Sequence, residues 1–387
     1  MKLTLRQGLV QVHRWTGLTI GLVILMMALT GAVNAFRPTL EPVLNRELLT
    51  VPTCSERLPL DTLAANARAA HGRGELDYIR ITAGEPGAAR MPSTRIRFSD
   101  PQEDVYLNPC TGEVLGERAR YGGLLGRIEQ LHILRYAENG FVRSITAVCA
   151  IAFGIVLLGG GLYLFWPRAG SLRSALKIRP QLTGVARRMN LHKTTGVYAS
   201  AALLVLILTG LPIAFDWYRS GLYTLTGSAQ PARSPRSSVP KEPKDAPRLT
   251  MQAFWERAQG LMPNVADALL KFPADKPNAP MEGFMIERGA PHANARSLMA
   301  LDVYSGRTLA YTPYAASSRG HKLYFWMLSL HTGLVGGLWG QLLLFVAALT
   351  VPLMAWTGIS SFLRRRAQKA GAARPASTPL NALRTSA

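Results

Sequence analysis

Four of the seven histidines in this 387-residue chain stand in matched contexts. The run HRWTGLTIGLVILMMALTGAVNAF from His13 lines up residue for residue with HKTTGVYASAALLVLILTGLPIAF from His192. Gly17 and Gly196 follow each histidine at the same spacing, as do the pairs Thr30-Gly31 and Thr209-Gly210, and Ala35-Phe36 and Ala214-Phe215 close the two runs. The match continues into the polar regions, which end in YLNPCTGEVLGE and ALDVYSGRTLAY, carry turn glycines Gly112 and Gly306, and lead to Leu131-His132 and Leu330-His331. A fixed register over this distance signals an internal repeat, and all four histidines fall near the ends of apolar segments. Two histidines meeting inside a helix bundle are the simplest protein cage for haem iron, and two axial imidazoles leave no open position for dioxygen, which suits electron transfer. Zinc or copper is the competing occupant, but each level offers only two matched histidines and no nearby cysteine or carboxylate pair, too few for a closed zinc site. Nothing resembles the Cys-x-x-Cys-His attachment of c-type haem, so ligation and packing alone would hold a b-type group. His71 and His292, in polar Gly- or Pro-flanked sequence, read as solvated surface. His321 reads as an exposed interfacial residue, with a spare ligand or a propionate partner as the alternative.

Four apolar segments are long enough to cross a hydrocarbon core of roughly 30 Å, which needs about 20 helical residues: residues 9–36, 141–166, 191–215 and 338–363. The stretch 167–190 between the second and third holds Arg168, Arg173, Lys177, Arg179, Arg187 and Arg188 with no acid among them, followed by Lys193. Basic loops stay inside. Arg364, Arg365, Arg366 and Lys369, with Lys2 and Arg6, place both termini on the same side, and both large polar regions outside. The formal net charge of +21 would point to nucleic acid in a soluble protein; concentrated at membrane flanks, it points to the anionic lipid bilayer instead. The first helix has the basic start and small-residue ending of a signal peptide, but its register match to an internal helix argues that it is retained.

The fold class expected is a membrane protein of four transmembrane α-helices built from an internal two-fold repeat, with two small periplasmic α+β domains. Its organisation is helix 1–36, external domain 37–140, helix 141–166, basic cytoplasmic loop 167–190, helix 191–215, external domain 216–337, helix 338–363 and cytoplasmic tail 364–387. Leu60 to Ala70 reads as a short helix, and 76–81, 95–98 and 104–107 alternate like half-buried strands. Met251 to Leu261, 283–287 and 297–303 repeat the plan. Residues 228–247, dense in Pro, Ser, Lys and Arg, cannot bury a core and read as a linker, and the tail from about Ala370 as disordered. Cys54 and Cys110 share the first external domain, where a disulfide between them would persist, while Cys149 falls in a span.

With that topology His13 and His192 lie near the cytoplasmic face, and His132 and His331 near the outer face. About 23 rises of 1.5 Å from His13 to Phe36 separate the levels by roughly 35 Å. One haem b is therefore expected on His13 and His192, another on His132 and His331. Arg14, Lys193, Arg187 and Arg188 inside, and Arg135 and Lys322 outside, stand where haem propionates would emerge, although headgroup contact explains them equally well. Gly17, Gly21, Gly196, Ala199, Gly333, Gly336 and Gly337 leave room for a flat macrocycle or for close helix packing. Trp15, Tyr136, Trp217, Trp326 and Trp339 fit an interfacial aromatic belt.

The His-Arg-Trp-x-Gly-Leu opening at His13 to Leu18, the Leu-His before a span, and the Gly-Leu-Tyr-Leu-aromatic-Trp-Pro-Arg ending at Gly161 to Arg168 resemble the PepSY-associated transmembrane family, over about Leu5 to Arg366. The last helix departs from that ending, with Gly358-Ile359-Ser360-Ser361-Phe362-Leu363-Arg364 in its place. Within the family the chain is similar to the di-haem inner-membrane ferric-siderophore reductases. The resemblance implies PepSY-like folds for the external domains and reduction of Fe(III)-siderophore in the periplasm, with Arg135, Tyr136 and His321 nearest the substrate. Siderophores hold Fe(III) far more tightly than Fe(II), because hard anionic oxygens favour the harder ion, so one electron loosens the complex. No dinucleotide fingerprint or flavin-type domain is present, so a quinol or a separate cytoplasmic reductase must be the donor. Two other classes stay open: a membrane-anchored PepSY binding or regulatory protein, and a siderophore or iron transporter, which the scarcity of ionisable residues within the spans disfavours.

Overall fold

The computed structural model describes residues 4–99, 101–135, 140–167, 171–239 and 247–372. Tyr136, Arg168, the linker centre 240–246 and the tail beyond Ala372 lie outside the described residues, as does the side chain of Lys369. By contacts the chain divides into two units, 1–29 with 148–204 and 346–387, and 30–147 with 205–345. The helices that matter for function are α1 (Leu5–Ala35), α2 (Leu60–His71), α3 (Gly123–His132), α4 (Ser144–Phe165), α5 (Gly184–Ala214), α6 (Met251–Leu261), α7 (Arg319–His331) and α8 (Gly337–Ala372).

Among the described residues, α1, α4, α5 and α8 are long and apolar enough to cross a membrane. Large apolar side chains along them, such as Leu22, Ile155, Leu343 and Val346, are exposed, an apolar surface that water would not tolerate on this scale. The helices outrun the apolar segments that mark them: α5 begins at Gly184 and α8 continues to Ala372. Ala, Arg and Lys at these ends are good helix formers, so the backbone stays helical after hydropathy has fallen. Within α4, Phe153–Gly159 is a π-helical segment, which lodges an extra residue in the turn. Cys149 lies buried on the same helix.

The second unit carries an eight-stranded antiparallel sheet. Its strands are β2 (Leu76–Thr82), β4 (Thr94–Phe98), β5 (Glu103–Leu107), β6 (Val114–Ala119), β7 (Val265–Lys271), β8 (Met281–Glu287), β9 (Ser297–Leu301) and β10 (Thr308–Thr312), in the order β10-β9-β8-β7-β2-β4-β5-β6. The short β1 (Thr50–Pro52) and β3 (Arg90–Pro92) pair beside it. Each polar region supplies one helix and four strands of this sheet, but the regions do not form separate sheets. β2 and β7 pair in register from Tyr78 opposite Lys271 to Thr82 opposite Asp267, which removes two open edges that would otherwise present unpaired backbone groups. One hydrophobic core follows, with Leu63, Ala67, Ile79, Ile96, Phe98 and Val105 from one region packed with Phe254, Ala258, Leu270, Met281 and Met285 from the other.

The helix ends join the halves again. The Asp61 carboxylate in the first turn of α2 accepts from the backbone N–H groups of Met251 and Gln252 at 2.9 and 3.0 Å, and Gln252 Oε1 accepts from Leu60 N–H at 3.1 Å. Each helix start thus satisfies donors of the other that have no intrahelical partner. The turn glycines Gly112 and Gly306 both adopt positive φ, and a Cβ on them would meet Asn66 and Leu249, so the position requires glycine twice over. The Cys54–Cys110 disulfide forms. On the face away from the core, Arg97 donates to Asp104 from Nε at 2.8 Å and from a terminal nitrogen at 2.5 Å, and Arg80 holds Asp267 in the same way.

Candidate functional site

In the first unit, α1 and α5 bring His13 and His192 together edge-on, with ring centres 6.3 Å apart and ring planes at 82°. In the second unit, α3 and α7 end in His132 and His331, whose ring centres are 6.4 Å apart. The structure therefore brings together the two histidine pairs expected from the sequence. What the sequence did not suggest is the seat behind each ring. His192 Nδ1 lies 3.0 Å from the Met354 carbonyl and 3.1 Å from Thr357 Oγ1, and His331 Nδ1 lies 3.0 Å from the Leu206 carbonyl and 3.3 Å from Thr209 Oγ1. His132 Nδ1 meets Thr30 Oγ1 at 3.0 Å, and His13 Nδ1 meets the Val156 carbonyl at 3.4 Å. A carbonyl only accepts, so Nδ1 of His13, His192 and His331 carries the hydrogen and Nε2 keeps its lone pair.

A glycine completes every seat. A Cβ on Gly31, Gly161, Gly210 or Gly358 would stand 3.1, 3.3, 2.8 and 3.4 Å from Cε1 of His132, His13, His331 and His192 respectively. In three seats the glycine follows a threonine: Thr30-Gly31, Thr209-Gly210 and Thr357-Gly358. The fourth departs, and its helix geometry explains how. Gly210 and Gly358 lie four residues beyond the carbonyls of Leu206 and Met354, whereas Gly161 lies five beyond Val156, across the π segment. The extra π residue moves Gly161 into the place that an α-helix would give to Gly160.

Several buried polar atoms near these seats lack a hydrogen-bond partner: Arg188 Nε and a terminal nitrogen, Thr194 Oγ1, Ser361 Oγ and Asn34 Oδ1. Arg188 stands one turn before His192, Ser361 one turn after Thr357, and Asn34 one turn after Thr30, so each shares a helix face with a member of a seat. Of the other cations expected there, Arg14 donates to Gln11 and covers Phe362, Lys193 is exposed, Lys322 donates to the Ala315 carbonyl, and Arg135 lies over the Tyr121 ring.

The three remaining histidines correct the sequence reading. None is solvated. His71 packs on Phe98 with ring centres 4.3 Å apart, its side chain buried between Glu103 and Glu117. His292 is buried against Trp326, with Nε2 at the Tyr314 hydroxyl and Nδ1 at Ser329 Oγ. His321 is buried against Phe325 with Nε2 on the Arg296 carbonyl, so it offers no surface to a substrate. Burial pushes the pKa of His292 and His321 down, which keeps both neutral as hydrogen-bonding core residues. For His71 a signal was present: Leu63, Ala67 and His71 repeat every four residues on the buried face of α2.

A shallow cleft of about 610 Å³ opens beside α3, lined by Gln102, Arg120, Tyr121, Arg127 and Gln130. The Arg120 and Arg135 guanidinium groups lie 4.7 and 5.3 Å from the Tyr121 ring centre. Arg127 and Gln130 sit on the helix that ends in His132, and neither they nor Arg120 stood out in the sequence.

A chain with four apolar spans and paired histidines seated within its helices is a membrane protein of a definite type. The family model of the PepSY-associated TM region matches residues 10–365, and the chain belongs to that family. Among curated proteins none matches the chain.

Proposed function

We propose that the chain is a di-haem b reductase of the bacterial inner membrane that passes electrons outward to Fe(III)-siderophore and releases iron. The observation that carries this is the separation within both histidine pairs. If both imidazoles of a pair held one ion between them at about 2 Å from each nitrogen, with each nitrogen about 1.1 Å from the centre of a ring with bonds of about 1.33 Å, the ring centres would stand about 6 Å apart. The 6.3 and 6.4 Å separations fit that arrangement. His13 and His192 would hold one haem, His132 and His331 the other. When bound, such groups supply one-electron transfer without an open coordination position.

The protein's own part is positioning. The seat carbonyls and threonines fix the tautomer that leaves Nε2 for a metal and hold each ring in one orientation. Glycine lets each ring approach the helix behind it. Arg188, with buried unpartnered nitrogens, suits an anionic propionate near His192. Arg173, Lys177, Arg179 and Arg364 to Arg366 flank the spans in the first unit and support its end as cytoplasmic, and the Cys54–Cys110 disulfide suits a periplasmic sheet. Arg120 and Arg127 make the cleft beside α3 a surface for an anionic ferric complex. The donor is a quinol or a cytoplasmic reductase.

The direct test is a reduced-minus-oxidised spectrum of detergent-purified protein with a pyridine haemochrome count, followed by trapping of Fe(II) from a ferric siderophore. Two b haems per chain and Fe(II) release are expected. A folded but colourless protein would turn the assignment toward a membrane-anchored PepSY binding protein. Thr357→Ala removes one acceptor at His192 Nδ1 and leaves the Met354 carbonyl. It should keep both haems and raise the midpoint potential of the inner one by about 20–60 mV, the one-electron equivalent of a hydrogen bond of 0.5–1.5 kcal/mol, measured by redox titration.

A further inference from the structure

We propose that His71, Glu103 and Glu117 form a binding site for a first-row divalent transition cation such as Zn²⁺, Mn²⁺ or Fe²⁺. The proposal uses none of the four paired histidines and stands whether or not the chain binds haem. His71 is the last residue of α2, and its side chain is only 1% exposed. Its ring packs on Phe98 at a tilt of 39° and faces a different carboxylate with each nitrogen. Nδ1 donates to Glu117 Oε2 at 2.8 Å. Nε2 is buried, has no hydrogen-bond partner, and points toward Glu103 Oε2 at 3.4 Å. One ligating atom from each of the three residues falls within 4.8 Å of the other two.

The strands explain the convergence. Glu103 leads β5 opposite Ala119, and Glu117 on β6 stands opposite Val105. Both carboxylates therefore leave the sheet on the same face, the face on which α2 delivers His71. Two carboxylates beside one imidazole form an electron-rich trio. Among the described residues, the one further cation in ion-pair contact with it is Arg73, 3.4 Å from the same Glu103 oxygen. The Arg73 side chain is 65% exposed and can swing into solvent, while Glu117 at 38% exposure leaves an entry path.

One imidazole nitrogen with carboxylate oxygens suits a borderline first-row cation, whereas calcium takes six to eight oxygens and magnesium keeps an oxygen octahedron. His71 Nε2 and Glu103 are the direct ligands, water fills the remaining positions, and Glu117 holds Nδ1–H so that Nε2 faces the ion, the usual outer partner of a metal-bound histidine.

The test is calorimetric titration of full-length protein in detergent with Zn²⁺, repeated with Mn²⁺ followed by electron paramagnetic resonance. Wild type should bind one more ion per chain than Glu103→Gln at equal haem content. Glu117→Gln should weaken that site by about 10-fold or more, and Arg73→Ala, which removes a competing cation from an exposed position, should tighten it. Equal ion counts in wild type and a Glu103→Gln protein of native melting temperature would overturn the proposal. So would an Arg73→Ala variant that binds no more tightly than wild type.

Discussion

On the proposed di-haem assignment, His331→Ala is expected to halve the haem b content of the purified chain, and His13→Ala to do the same by removal of the other haem. Each histidine stands opposite one partner, His331 against His132 and His13 against His192, so loss of either would leave one imidazole to hold a group bound there. The two variants should differ in which spectral component and which midpoint potential disappears. On the same reading His331→Ala should also abolish Fe(II) release from a ferric siderophore, because the His132–His331 pair shares α3 with the arginine-lined cleft. Exogenous imidazole offers a control with a structural role removed. The space left by the ring still faces the Leu206 carbonyl and Thr209 hydroxyl, which held Nδ1 of His331 at 3.0 and 3.3 Å, so millimolar imidazole should restore the lost spectrum. A His331→Ala protein with two unchanged b haems would remove the ligand assignment at this pair.

Asp104→Ala should cost the sheet unit about 3–5 kcal/mol, the range for loss of one partner from a buried ion pair. Asp104 and Arg97 are only 4% and 10% exposed, and Arg95 approaches the same carboxylate at 3.9 Å. Removal of Asp104 strands two guanidinium groups on a buried sheet face, with Arg95 Nε already lacking a hydrogen-bond partner. The pair itself need not add much to stability; the cost lies in the uncompensated charge. Asp216→Ala is the matched control: its bond to Arg219 is as short at 2.5 Å, but the Asp216 side chain is 90% exposed, and solvent should hold the effect within about 1 kcal/mol. Thermal unfolding of both variants in detergent, followed by proteolysis, measures the contrast. Equal destabilisation would show that burial is not what sets the energetics of this face.

Much of the architecture was legible in the sequence because it is written in local periodicity. Four apolar runs mark four long helices, since a backbone in hydrocarbon must satisfy its own hydrogen bonds. The alternating stretches expected at 76–81 and 95–98 and the helical stretch expected at 60–70 fall within Leu76–Thr82, Thr94–Phe98 and Leu60–His71, because side-chain period reports which face is buried. The repeated contexts of His13, His132, His192 and His331 are enough to single these four out from the other histidines. Their neighbours across the bundle did not show, and neither did β7, β10 or α7, whose apolar residues pack against partners distant in sequence.

What only the tertiary structure decided are relations between segments. The β2–β7 pairing turns two expected domains into one sheet, because an open strand edge is satisfied by any partner in register, and sequence alone does not name the partner. His71 and His292 looked like solvated loop residues and His321 like an exposed interfacial one since their polar neighbours are local, while the Phe98, Trp326 and Phe325 rings that bury them come from other elements or other turns. The seats behind the paired histidines depend on a glycine of a facing helix with a carbonyl and a threonine at His192 and His331, a threonine at His132 and a carbonyl at His13, where a π turn shifts the glycine by one residue. The sequence determined which residues could act. Packing across the chain decided what each one faces, because contact between helices depends on geometry that no local pattern encodes.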